Sequence, residues 1–365
     1  MTLHIYFARK FFLIFLGLFT VFFLLQALID LIEVLRRLSD TEASFSDMVG
    51  LTLLRVPEGV NQILPLIMIL ATIALFLGLA RSSELVVVRA AGRSGLVALI
   101  APAAVALSIG LIAVSFLNPI IAASSKRYHD LYETWRNGGA DVVSISSEGL
   151  WLRQGGEDGQ TVIRASSANP QATVLYNVTF FSYAPNGGPL RRIEAREARL
   201  ITGAWQLSEA KVWPLGGGIN SEGAAQKFDQ MDVPSTLTQD RIRDSFGAPN
   251  AISIWELPGF IKQLELAGFS ARRHAVWFQM ELARPVFLTA MVLLGAAFTM
   301  RHVRARGTGV AVLISLLLGF GLYYIKSFAQ ILGENGQIPV LLAAWAAPVA
   351  ALMLAVGLLL HTEDG

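Results

Sequence analysis

Residues 11–31 read FFLIFLGLFTVFFLLQALIDL, and Asp30 is the only charge among them. A helix needs about 20 mostly apolar residues to cross the hydrocarbon core of a bilayer, so this run is read as a span. Five further apolar runs of similar length follow, at 63–80, 95–115, 276–300, 309–330 and 338–360. Three runs thus precede, and three follow, a polar stretch at 126–273. The expected architecture is six transmembrane helices, arranged 3+3, with a domain inserted between the halves. The first run is not followed by an Ala-x-Ala-like cleavage site and continues into Glu33, Arg36 and Arg37. It is therefore expected to stay as a span rather than be removed as a signal peptide.

Composition narrows the functional classes. Hydrophobic residues make up 54% of the chain and charged residues only 15%, whereas soluble domains carry about 25% charged residues. The net charge is +2 with no long basic run, which argues against nucleic-acid binding. Cysteine is absent, which excludes disulfides, thiolate metal sites and cysteine nucleophiles. The five histidines (His4, His129, His274, His302, His361) are scattered, so neither a catalytic triad nor a metal site is expected, and no cofactor. The Gly155-Gly156 loop lacks the Gly-Lys-Ser/Thr ending of a phosphate-binding loop. The chain is not expected to be an enzyme. If ATP drives it, a separate subunit hydrolyses the nucleotide.

Short loops rich in Lys and Arg stay cytoplasmic. Arg9 and Lys10, then Arg81, Arg89 and Arg93, then Arg301, Arg304 and Arg306 fall on one side of a six-span arrangement. Both termini are expected there, and the polar stretch on the opposite side, periplasmic if the membrane is a bacterial inner membrane. The domains are drawn at 1–125 (three helices, with a cytoplasmic helix at about 82–93), 126–273, and 274–365 (three helices).

The polar stretch is patterned as β. In residues 173–183 Val174, Tyr176, Val178 and Phe180 alternate with Asn177 and Thr179. Shorter candidate strands lie at 141–146, 150–153, 161–165, 198–202 and 204–212, separated by turns such as Pro185-Asn186-Gly187-Gly188. This spacing predicts a sandwich or jelly roll, completing a membrane α + β fold class. Such a domain serves either as a rigid docking module or as an open sandwich that receives acyl chains. Residues 216–231 are read as a loop, and 253–268 as an amphipathic helix with Trp255, Leu257, Ile261 and Leu264 inward.

In the loop at 81–94, Ser82 or Ser83 can cap a short helix that begins near Glu84 and ends at Gly92. Leu85, Val88 and Ala91 share one side of it. That side either enters a groove of a cytoplasmic motor or belongs to a plain connector whose arginines follow the positive-inside rule. Asp30, Arg55, Glu281, Arg284 and Lys326 lie in or near spans, where each charge costs on the order of 3 kcal/mol. Arg36, Arg37, Lys126, Arg127, Arg136, Arg272 and Arg273 gather on the far side of the membrane. They form either a ring for lipid phosphates or ordinary headgroup contacts. Ala343, Ala347, Ala351 and Ala355 recur at every fourth residue, which permits close helix approach.

Taken together these segments resemble the lipopolysaccharide export permeases of the LptF/LptG family, most closely its LptG branch. The resemblance rests on Ser83-Glu84-Leu85-Val86-Val87-Val88-Arg89-Ala90-Ala91-Gly92, on 148–153, on 198–212, on Trp255-Glu256-Leu257-Pro258 with 264–268, and on Ala343-Ala344-Trp345. It implies an LptF-like permease as heterodimer partner, an LptB-like ATPase dimer, an LptC-like single-span protein and an LptA-like periplasmic bridge. It further implies that Glu84, Leu85, Val88, Arg89 and Gly92 belong to the ATPase-coupling helix, and that the first and fifth spans line a lateral gate for lipopolysaccharide. Family members use a basic residue of the first span against lipid phosphates; Asp30 stands there in this chain, with Arg36 and Arg37 a turn or two beyond. The alternative is a membrane-anchored scaffold or sensor whose β domain binds a partner without transport.

Overall fold

A computed structural model describes residues 2–39, 43–90, 92, 94–137, 143–146, 149–156, 159–169, 173–184, 188–215, 222–235, 237–238, 242, 248–300 and 308–363. Two compact units emerge, one made of 1–136, 253–255 and 272–365, the other of 137–252 and 256–271.

The first unit is helical and, among the described residues, contains six helices long and apolar enough to cross a membrane. They are α1 (Thr2–Arg37), α2 (Phe45–Arg81), the continuous helix formed by α4 (Gly95–Ile112) and α5 (Asn118–Asn137), α7 (Arg272–Thr299), α8 (Thr308–Glu334) and α9 (Val340–Glu363). The short α3 (Glu84–Ala90) links α2 to α4. Helix α2 starts at a capping box: Ser44 Oγ accepts from Asp47 N at 3.3 Å and Asp47 accepts from Ser44 N at 3.0 Å. Between α4 and α5 the turn widens into a π-helical segment, Ala113–Leu117. The indole of Trp255 donates to Ser115 O there at 3.2 Å, and Asn118 Oδ1 accepts from Ile254 N at 2.8 Å. Trp255 is therefore exposed on the helical unit, not inward on the amphipathic helix that the sequence predicts.

Helix α7 packs against α2, α4, α8 and α9, and small residues set the separations. A Cβ on Gly110 would lie 2.6 Å from Pro285 Cα, and one on Gly333 would lie 2.4 Å from Ala343 Cβ. The stripe of Ala343, Ala347, Ala351 and Ala355 is buried within the chain, so it serves internal packing and leaves no surface for a second permease. By contrast, little of the apolar length of α1 and α8 is fully buried.

The second unit is a seven-stranded antiparallel sheet in sequence order. Its strands are β1 (Val143–Ser146), β2 (Gly149–Gly156), β3 (Gly159–Ala168), β4 (Val174–Tyr183), β5 (Pro189–Ile201), β6 (Ala204–Pro214) and β7 (Gln226–Pro234). The fold class is as expected, and the jelly-roll-like domain takes the form of a plain meander among the described strands. Alternation puts Leu150, Leu152, Ile163, Val178, Phe180, Ile193, Trp205 and Leu207 into one core. Helix α6 (Leu257–Leu266) contributes Leu264, with Ala267 and Phe269 beyond it, and Ile261 packs at the margin. Gly268 allows the close approach: its φ is +86°, and a Cβ would meet Ala168 O at 2.2 Å.

Two strands exceed the reading from sequence. The first half of β5 is hidden because Arg192 and Glu194 lie on either side of the buried Ile193, so charges dominate the pattern. Strand β7 occupies part of the expected loop; it is an edge strand, exposed along most of its length, and needs little apolar alternation. In the remainder of that loop, 222–225 form a turn before β7 and 216–221 lie outside the described residues, as do Pro185, Asn186 and Gly187 of the expected turn.

Candidate coupling and lipid-contact sites

Helix α3 is attached to α2 through a tight corner. Ser82 caps α2, and Ser83 takes a left-handed φ of 57° so that the chain can reverse into α3. Gly92 follows the helix with φ +72°, the conformation expected of its terminator. Glu84 then faces α1. Lys10 Nζ donates to Glu84 Oε1 at 2.8 Å, Ser82 Oγ donates to the same oxygen at 2.8 Å, and Tyr6 Oη donates to Oε2 at 2.8 Å. Lys10 also donates to Tyr6 Oη at 3.1 Å. The Lys10 ammonium holds the Glu84 carboxyl below its ordinary range, with Ser82 and Tyr6 in support.

Leu85 and Val88 share a side of α3, as their spacing predicts, but that side is buried in the protein's own core with Phe7 and Phe11 of α1. The outward side carries Val86 and Val87, 56% and 68% exposed. Ala91 and Arg93 lie outside the described residues, as does the side chain of Arg89. Sequence reasoning missed Tyr6 and Lys10; their four-residue spacing on α1, which aims both at one neighbour, was the available signal.

The membrane charges have partners. Asp30 is 2% exposed; it accepts from Gln26 Nε2 at 3.1 Å and lies 3.5 Å from Arg55 Nε. Arg55 Nη1 is 3.3 Å from Glu33, which also pairs with Arg37, and the Arg55 guanidinium sits 5.9 Å from the Tyr128 ring centroid. Deeper in the unit, Glu281 is 1% exposed and pairs with Arg284, which donates to Asn61 O at 3.2 Å. Lys326 lies over the Phe287 ring at 5.7 Å. Pairing offsets the cost of burying these groups.

Of the basic residues proposed as a ring, Arg36 and Arg37 of α1 and Lys126 and Arg127 of α5 are exposed. They border one cluster formed by Val34, Leu38, Met48, Leu51, Tyr128 and Tyr132. Arg272 has a different partner set: Nε donates to Gly333 O at 2.7 Å and Nη2 to Ile338 O, so it joins α7 to the end of α8 and the turn before α9. Arg273 is exposed beside it, and the side chain of Arg136 lies outside the described residues.

Six apolar helices in two halves, a short helix rooted beside the first span, and an inserted antiparallel sheet define a multi-pass membrane protein with its own β domain. The family model "Lipopolysaccharide export system permease LptF/LptG" matches residues 5–361, and the chain belongs to this family. Among curated relatives, lipopolysaccharide export system permease protein LptG of Escherichia coli K12 is 23% identical over 357 residues, covering 95% of this chain and 96% of its own length. LptG of Haemophilus influenzae is 22% identical over 332 residues, covering 91% of this chain and 90% of its own length. The chain is thus a lipopolysaccharide export permease by family, a component of transport.

Proposed function

We propose that the chain is the LptG-type permease subunit of an ABC-type exporter, which extracts lipopolysaccharide from the inner membrane and passes it to a periplasmic β-jelly-roll bridge. An LptF-like permease is its heterodimer partner, an LptB-like ATPase dimer supplies the energy, and an LptC-like single-span protein joins the assembly. Both termini and α3 are cytoplasmic, and the β domain at 126–273 is periplasmic and leads to an LptA-like bridge. The observation that carries this reading is that α1 and α8, the spans that must part to admit a lipid, are the two least buried of the six. Both pack on α2, and neither is held along its whole length by the rest of the chain. Arg36, Arg37, Lys126, Arg127 and Arg273 suit the lipid phosphates as exposed cations.

Depletion of the protein should leave lipopolysaccharide in the inner membrane. Normal outer-membrane lipopolysaccharide after depletion would refute the proposal. Purification of the wild type from detergent should bring an ATPase, a second six-span permease and lipopolysaccharide with it. A lone protein carrying ordinary phospholipid would support the scaffold alternative.

A further inference from the structure

In the family reading, Glu84 is a residue of the coupling helix. Its side chain, however, is engaged from within the chain. A carboxylate offers about four acceptor positions, and Tyr6, Lys10 and Ser82 occupy three of them, each at 2.8 Å. Leu85 and Val88 are buried in the same apolar core as Phe7, Phe11 and Phe15, with α3 packed chiefly on α2 and α4. The N-terminal end of α1 is thus joined to α3 by a charged contact.

The rest of α1 is held differently. No residue from 16 to 29 is buried, whereas Asp30, Val34 and Leu38 are buried again at its other end. Between its two ends the first span is held only by partly buried residues, among them Leu18, Phe19, Phe22, Phe23 and Ala27. The residues around Glu84 therefore give a displacement of α3 a direct route into the first span.

We infer that Glu84, Lys10 and Tyr6 form a strut that makes α3 and the N-terminal end of α1 move as one body, with Val86 and Val87 left as the ATPase-facing side. Lys10 and Tyr6 are positioning residues: they touch neither lipid nor nucleotide, and they pass motion of α3 to the gate helix. The inference rests on the proposed role of α3 as the coupling helix. It differs from that role in directing the Glu84 carboxylate inward.

The test uses the complete transport complex in proteoliposomes containing lipopolysaccharide, with lipid release and ATP hydrolysis measured together. Lys10→Met is expected to keep the ATPase subunit bound and hydrolysing, while lipid released per ATP falls about tenfold, the weight of one charge-assisted hydrogen bond. Lys10→Glu and Glu84→Lys should each uncouple, and combining them should restore the ratio. The chain has no cysteine of its own, so Lys10→Cys with Glu84→Cys can be bridged by a short bifunctional thiol reagent. Release that persists in the bridged form supports a permanent strut. A normal release-to-hydrolysis ratio in Lys10→Met, loss of the ATPase subunit from that variant, or a block of release by the bridge would each overturn it. A wild-type complex that carries no ATPase would instead refute the exporter reading itself.

Discussion

Replacing Arg272 by Ala is expected to loosen the junction of α7, α8 and α9 rather than to remove a lipid contact. Gly333 is near the C-terminal end of α8, and its carbonyl accepts from Gly336 N at 3.1 Å while keeping a second lone pair for a side-chain donor. Arg272 supplies a donor to Gly333 O and another to Ile338 O. It also places a cation at the negative end of the helix dipole. Hydrogen bonds from charged groups contribute about 1.5–3 kcal/mol each; taking the low end for a half-buried group, two give about 3 kcal/mol. At about 2–4 °C per kcal/mol, the midpoint should fall by roughly 6–12 °C. Thermal unfolding in detergent, followed by tryptophan fluorescence, measures this. Lys126→Ala is the control, an exposed substitution expected to change stability by no more than about 0.5 kcal/mol. If Arg272→Ala unfolds at the wild-type temperature, or if Lys126→Ala loses as much, the reasoning fails.

Arg55→Leu should destabilise the helical unit by about 3–5 kcal/mol because it strands Asp30 without its cation, and denaturant unfolding of the purified protein checks it. Gly268→Ala should impair folding of the β unit, since the residue needs both a positive φ and the space filled by Ala168 O; protease resistance of the sheet is the readout, and wild-type resistance would contradict it. Glu209→Gly should raise stability by about 1 kcal/mol by relieving a left-handed φ of 53° in β6, and only an exposed pair with Arg196 is lost, so a lower unfolding midpoint would count against it. Because the Glu84 carboxyl is held below its ordinary value of 4.5, its stabilising contribution is present above that value and is lost as pH falls through the depressed one. Hydrogen exchange of α3 amides, relative to intrinsic rates, should therefore show protection at neutral pH that is lost only as pH falls below the ordinary carboxyl value of 4.5, and pH-independent protection would refute the tie.

The spans were legible because lipid imposes a length and forbids most charges, and both marks are visible residue by residue. Strands were legible where one face is apolar, as in the second half of β4 with Val178 and Phe180 buried; in its first half the phase is reversed across the left-handed Asn177, so that Leu175 is buried and Tyr176, expected on the apolar face, is exposed. They were obscure where outward charges or an exposed edge blurred the alternation, as in β5 and β7. Periodicity identified Leu85 and Val88 as companions on one side of α3. It did not say whether that side meets solvent, a partner or the chain itself, because this depends on what α1 brings alongside. The same holds for Glu84 and for Asp30: their partners are 74 and 25 positions away in sequence, brought near only by helix packing. Arg272 and Arg273 look alike in sequence, yet the first is half-buried against Gly333 O and Ile338 O while the second is exposed.

The widened turn at Ala113–Leu117 makes the third span sensitive to length in a way its neighbours are not. Each residue advances an α-helix by about 100°, so the additional residue held in the π turn offsets every later side chain by that angle. With that offset Tyr128 and Tyr132 meet the cluster at the ends of α1 and α2. Deleting one residue from 113–117 would restore an uninterrupted α-helix and swing both tyrosines away, whereas conservative substitutions at the same positions would leave the phase intact. In comparisons among relatives, this segment is where a single-residue gap would change the protein's geometry without changing its hydrophobicity.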